Sequence, residues 1–431
     1  MTTVISSESA RSAVEEIAAV ASRRSTVVDL ARAALSRAGE VEDRIHAFCC
    51  LDEQVVLESA EAIDRHGDKP LKGLVVGVKD VIDTAAMPTC YGSPLFAGHQ
   101  PAHDADIVAT IRRLGGLVLG KTSSTEFAMF EPTDTRNPVD LTRTPGGSSS
   151  GSAAAVAAGV LPVALGTQTA GSVVRPAAYC GIYGFKPSRG WTSTQGVFPL
   201  ASSLDTLGIL ARNIGDLRLV YEATRSSPPP MRRDRRELRT VAVLPATEWG
   251  EVEPEVLDAL HAASRRLQAH GLAVMDLDMP PDWVALPSRH ETVMAFETAR
   301  CLRQLLGDRV TEISPSSRNV VAKGETTPRE EYEACLEAAR RATEVLGHLC
   351  QTVDLFLTPS ALGVAPSGLD FTGDPVMCRP WTLMGLPSAN LPSFRTDAGL
   401  PIGIQAVSPV CDDLGFLDDL ELLEDLLSAE A

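Results

Sequence analysis

Apolar positions in residues 8–22, 26–38 and 51–65 recur at helical spacing, so the chain opens with a helical arm over about 1–70. From Gly73 the pattern changes. Short runs rich in Val, Ile and Leu begin at 75–81 and alternate with helical stretches, 107–114 followed by 117–119. That alternation predicts an α/β fold, with a mixed or parallel sheet covered by helices on both faces. Further along, 240–245 reads as a strand, and 253–270 and 328–350 as amphipathic helices. Leucines at 417, 420, 422, 423, 426 and 427 predict a terminal helix docked by one face. Ser226-Ser-Pro-Pro-Pro230, followed by Arg232, Arg233, Arg235, Arg236 and Arg239, marks an exposed joint.

Composition narrows the partners. The 431 residues carry a net charge of −17, which argues against nucleic acid or an anionic membrane. No apolar run reaches membrane length, and Met1-Thr-Thr-Val-Ile lacks the basic and apolar regions of a secretory signal. Nine cysteines, an odd number without C-x-x-C spacing, read as reduced thiols. The expectation is a soluble cytoplasmic protein. The eight histidines form no metal-ligand constellation, so neither metal nor cofactor is expected.

Lys79 lies inside Leu74-Val-Val-Gly-Val-Lys-Asp-Val-Ile82, in a chain where thirty-three of 39 basic residues are arginine. Arginine keeps its proton in proteins. A desolvated lysine loses it readily and becomes a general base. The alternative is a lysine that snorkels from a strand end or pairs with Asp80. Downstream, two glycine-rich turns flank an alanine-rich run. The first is Arg143-Thr-Pro-Gly-Gly-Ser-Ser-Ser-Gly-Ser152 and the second Gly166-Thr-Gln-Thr-Ala-Gly-Ser172. A serine hydroxyl attacks only when a neighbour takes its proton, so these turns and Lys79 together suit a hydrolase whose base is lysine. Gly147-Ser-Ser-Ser-Gly151 also satisfies the G-x-S-x-G elbow with Ser149 as nucleophile, but residues 140–145 are too polar and proline-broken for the strand that elbow needs. No Gly-Lys-Ser/Thr follows the glycines, which excludes a phosphate-binding loop.

These motifs resemble the amidase signature family, serine hydrolases that cut carboxamide C–N bonds with a Ser-Ser-Lys triad. The likeness covers residues 73–213, including Arg136-Asn-Pro138 and Ala201-Ser-Ser-Leu-Asp205, and returns at Thr358-Pro359 and Gly385-Leu-Pro387 through Gln405. It implies a single large domain: the helical arm, a signature core over about 71–225, a divergent middle segment over about 228–352, and a closing part over about 353–431. It also implies that Ser172 attacks the amide, Ser148 relays the proton after a cis peptide at Gly147, and Lys79 accepts it. The backbone N–H groups of Thr169, Ala170, Gly171 and Ser172 are expected to form the oxyanion hole. Asp205 and Lys186 are expected to stabilise the turns.

Three residues depart from the usual pattern: Ser150 and Ala170 stand where glycine is common, and Gln168 where aspartate is. Arg175 is shifted one position along, as in malonamidases, where it holds a substrate carboxylate; its fork suits one. The alternative is an arginine that braces the loop. Gln168 is likewise either a substrate contact or a brace. The resemblance implies a hydrolase acting on a small amide, carboxylated and malonamate-like. The alternatives are small neutral or aryl amides, acyl transfer in biosynthesis, or the glutamine-amidase subunit of a tRNA-dependent amidotransferase. A homodimer is compatible with it.

Overall fold

The computed structural model describes residues 10–226 and 237–428. Residues 227–230 of the proline-rich joint and Arg232, Arg233, Arg235 and Arg236 lie outside the described residues; Arg239 is exposed and pairs with Glu237.

The arm forms helices Ala13–Ala21, Val27–Ile45 and Glu53–Arg65. The first two begin with capping boxes: Ser12 and Thr26 each accept from the third residue of their helix, whose Glu15 or Asp29 carboxylate accepts in return.

Eleven strands form one sheet among the described residues. They are β1 (Phe48–Cys50), β2 (Val75–Lys79), β3 (Leu117–Thr122), β4 (Val163–Gln168), β5 (Tyr183–Lys186), β6 (Thr206–Ala211), β7 (Thr240–Val243), β8 (Ala273–Asp276), β9 (Leu355–Pro359), β10 (Ser388–Arg395) and β11 (Pro401–Val407). Their order is β1-β3-β2-β4-β6-β5-β10-β11-β9-β7-β8. β2 lies parallel to both β3 and β4, while the run from β4 through β6, β5, β10 and β11 to β9 is antiparallel. The sheet is mixed, as expected. Strands from the signature core, the middle segment and the closing part share it, and one apolar cluster extends from Ala13 to Leu427.

The alanine-rich run becomes the helix Ser150–Ala157, every residue of it buried. Small side chains let it lie close: a Cβ on Gly151 would strike the Ala47 carbonyl. The terminal leucine pattern is the helix Asp413–Ser428, which buries Leu417, Leu420, Leu423 and Leu427 and leaves Leu422 outward. Its acidic face is not purely solvated. Asp413 is buried and accepts from Ser188 and Tyr221, and Arg218 joins Asp418 and Glu421. None of the described helices is long and apolar enough to cross a membrane.

Candidate active site

Lys79 ends β2, and the register Lys79↔Thr122 sets its side chain on the face of the sheet that Thr122 shares. Thr122 Oγ1 meets Ser152 Oγ at 2.7 Å, so this face carries the helix that follows the first serine turn. Lys79 is fully buried, with Nζ 2.7 Å from Ser148 Oγ, 2.8 Å from Thr167 Oγ1 and 3.4 Å from the Thr167 carbonyl. Burial drives its ammonium well below the ordinary lysine value, and the Asp205 charge only partly opposes this. Asp80, the partner weighed from sequence, accepts instead from Cys90 and Gly92 N–H.

The first turn has the expected cis peptide between Gly147 and Ser148. Gly146 adopts φ +82°, and a Cβ there would come within 2.9 Å of the Tyr179 ring, so only glycine fits. Ser150 Oγ donates to the Gly146 carbonyl at 2.8 Å, so serine closes the loop where glycine is usual. Ser149 is fully buried with Oγ 3.4 Å from the Thr167 carbonyl, and residues 140–145 form no strand. The elbow reading therefore fails.

The second turn joins β4 to the helix Val174–Cys180. Ser172 is 6% exposed whereas Lys79 and Ser148 are fully enclosed, so of the three only the expected nucleophile meets solvent. Ala170 does not have positive φ, so alanine is accommodated without strain. A Cβ on Gly171 would lie 2.9 Å from Pro375 Cβ, which accounts for glycine there. Among the described residues, the N–H groups of Ala170, Gly171 and Ser172 donate to no protein acceptor.

Asp205 supports the turn as expected, accepting from Thr169 Oγ1 at 2.5 Å and Ala201 N–H at 2.9 Å; burial raises its pKa to about 7. Lys186 is bonded to the Pro187 and Leu386 carbonyls, tying the end of β5 to the closing part.

The contacts of Gln168 fit the second of its two readings, the brace. Its Oε1 accepts from both Val173 and Val174 N–H, at 2.9 and 3.1 Å, and its Nε2 donates to Thr382 Oγ1 at 3.0 Å. Fully buried with its oxygen saturated, it braces the turn. Arg175 is more divided. One terminal nitrogen donates to the Gly147 carbonyl at 2.6 Å and the other to Gly373, fastening the second turn's helix to the residue before Ser148. Yet Arg175 is only 2% exposed, its Nε has no partner, and among the described residues no carboxylate forms an ion pair with it.

Three contributors had no signal in the sequence. Thr167 is a second hydroxyl on Lys79, and its position in β4 reveals this only once the strand order is known. His290 and Thr382 reach the second turn from distant helices, Leu286–Leu306 and Arg379–Leu383.

The Amidase family model matches residues 29–417. One subunit of the glutamyl-tRNA(Gln) amidotransferase of Thermus thermophilus is 33% identical over 90% of this chain and 91% of its own. The peptide amidase of Stenotrophomonas maltophilia superposes with a TM-score of 0.83 at 25% identity, covering 97% of each chain. The corresponding subunit of the Thermotoga maritima amidotransferase superposes with a TM-score of 0.76 at 26% identity, covering 91% of this chain and 90% of its own. A match of this extent, on a sheet that presents a buried lysine to a serine turn, means that the chain belongs to the amidase family.

Proposed function

We propose that this enzyme hydrolyses a small carboxamide through an acyl-enzyme on Ser172, with Ser148 and Lys79 as its proton relay. The observation that carries the reading is the 2.7 Å contact between Ser148 Oγ and a lysine whose proton burial has made easy to lose. A neutral amine has two N–H donors and one lone pair. The Thr167 hydroxyl and carbonyl take the donors, which leaves the lone pair for the Ser148 proton. Ser148 in turn accepts the proton that Ser172 loses as it attacks, and the same path returns it to the leaving amine. Oxyanion charge would fall on the free N–H groups of the second turn. Water then attacks the ester along the same relay and releases the acid.

For the substrate, we favour an amide bearing a carboxylate. A buried guanidinium without an ion-pair partner is costly, and an anionic substrate would offset that cost. A neutral amide is the second reading, favoured because both terminal nitrogens of Arg175 already hold carbonyls. A cavity of about 740 Å³ lined by Tyr91, Phe198, Leu200, Phe296 and Tyr332 gives room for an apolar group. None of the three relay residues lines it, so it does not by itself choose between the two. The deciding experiment is a panel of small amides with and without a carboxylate, assayed with Arg175→Ala. Loss of both classes in equal measure rejects the carboxylate clamp. A Ser172→Ala protein that turns over at the wild-type rate rejects the mechanism. The amidotransferase relatives carry glutamyl-tRNA(Gln) in their names; glutamine belongs in the panel for that reason.

A further inference from the structure

In a trans peptide the carbonyl of one residue and the N–H of the next point to opposite sides of a plane. Fixing the carbonyl therefore aims the N–H. In the second turn, three successive carbonyls are held. His290 Nε2 lies 2.7 Å from the Thr169 carbonyl, Thr382 Oγ1 donates to Ala170 at 2.8 Å, and Arg175 N–H donates to Gly171 at 3.0 Å. The N–H groups on the other side of these planes belong to Ala170, Gly171 and Ser172. We propose that His290 and Thr382 are positioning residues which aim the oxyanion-binding N–H groups by gripping the carbonyls behind them. This rests on the reading of Ser172 as nucleophile.

The donor directions are fixed by the partners. A carbonyl accepts only, so the ring nitrogen facing it carries the proton, and His290 Nδ1 keeps the lone pair. That atom is buried and has no partner, so no acceptor draws a second proton onto it. Burial, together with the charge of Arg379, lowers the imidazole pKa to about 3, so the ring stays neutral across the working range. Thr382 has a single hydroxyl proton. Gln168 must present its oxygen to two backbone N–H groups, so its amide nitrogen donates to Thr382. The threonine proton is thereby left for a carbonyl, and Ala170 is nearer than Cys378, at 2.8 against 3.1 Å. Thr169 is pinned from both ends, its hydroxyl on Asp205 and its carbonyl on His290. The middle segment and the closing part thus each contribute one hand to a turn built by the signature core.

The test uses a small alkyl fluorophosphonate, which bonds through phosphorus to the Ser172 oxygen and expels fluoride, with its phosphoryl oxygen in the hole. Loss of a whole donor typically costs about 10²–10³ in rate, and a misaimed one less. His290→Leu and Thr382→Val are expected to label at Ser172 about 10- to 100-fold more slowly than wild type. His290→Gln and Thr382→Ser, which keep a donor, should stay within about threefold. On an amide found by the panel, the drop should appear in kcat with KM nearly unchanged, because the hole fills with charge only in the transition state. Thr382→Val is nearly isosteric and serves if His290→Leu folds poorly. Wild-type labelling rates in both donor-less variants, or equal losses in the donor-keeping pair, overturn the proposal. If the wild-type protein takes no label at Ser172, the nucleophile reading falls first and this falls with it.

Discussion

Lys79 and Lys121 stand on neighbouring parallel strands, one residue out of register, and so project from opposite faces of the same sheet. Both are fully buried, and burial lowers both ammonium pKa values, that of Lys121 to about 8. What differs is the company each keeps. Lys121 donates to the Ile82 carbonyl and Thr89 Oγ1, and feels the charge of Asp80 and Asp83. A carbonyl has no proton to give, the fully buried Thr89 hydroxyl accepts from Thr84 N–H and leads to no second nucleophile, and nearby carboxylates favour the charged ammonium. Lys79 meets the Ser148 hydroxyl, which accepts and donates, and has only Asp205 nearby, whose own carboxyl burial pushes up to about 7. Burial alone makes a lysine easy to deprotonate; a hydroxyl neighbour that can relay a proton from an attacking group makes it a base. Lys186, enclosed and bonded to two carbonyls, belongs with Lys121.

The sharpest way to break this contrast is to exchange the lysines for residues of similar length. Lys79→Met is expected to remove turnover by about 10⁴-fold or more, as loss of one member of a catalytic unit does elsewhere. Lys79→Arg should do no better, since guanidinium keeps its proton. Steady-state kinetics on an amide from the panel reads both. Lys121→Met should instead lower stability by about 3 kcal/mol, because it strands buried acceptors and Asp80, while the folded fraction keeps kcat within about tenfold. Chemical denaturation and active-site titration separate the two effects; a catalytic collapse with unchanged stability would erase the distinction.

Smaller in size is the pH signature. The folded pKa of Lys79 lies below its ordinary value of 10.5, so the base is protonated and idle at low pH. The rate of acylation should rise as pH passes the folded pKa and then level off. Stability carries the same sign. Between the folded and unfolded pKa values the unfolded chain binds the extra proton, so stability rises with pH across that window. In Lys79→Met this part of the slope should vanish, which melting curves at several pH values would show. Smallest of all is Arg340→Ala. Its two carboxylate partners, Glu337 and Glu344, are exposed, and the denaturation midpoint of this variant should coincide with that of the wild type.

The sequence announced the first half of the site and not the second. Lys79 in an apolar run, two glycine-serine turns and an alanine-rich helix between them are local features, written in consecutive residues. Helical arm, mixed sheet and terminal helix followed from periodicity for the same reason. Lys121 shows the limit of that reasoning: it too occupies an apolar strand, and only its contacts reveal a different role. Gln168 illustrates another limit, because a buried amide and a substrate contact look alike until its partners are known. His290 and Thr382 contact a turn more than a hundred residues away, and no spacing rule reaches that far. The helix Leu286–Leu306 that brings His290 carried no legible signal, although it is among the longest described.

The strand order has a consequence for synthesis. β5 waits for β10 as its neighbour, and β10 lies some two hundred residues later in the chain. A ribosome making this protein has therefore released the serine turns long before the edge beside them is covered. Thr382 emerges in the same late stretch. Until then the nascent chain shows an open strand edge to the crowded cell, where such edges invite mispairing. Catalytic competence is thus postponed to the end of translation, and a chain cut short before residue 388 should be a client for chaperones and no enzyme at all.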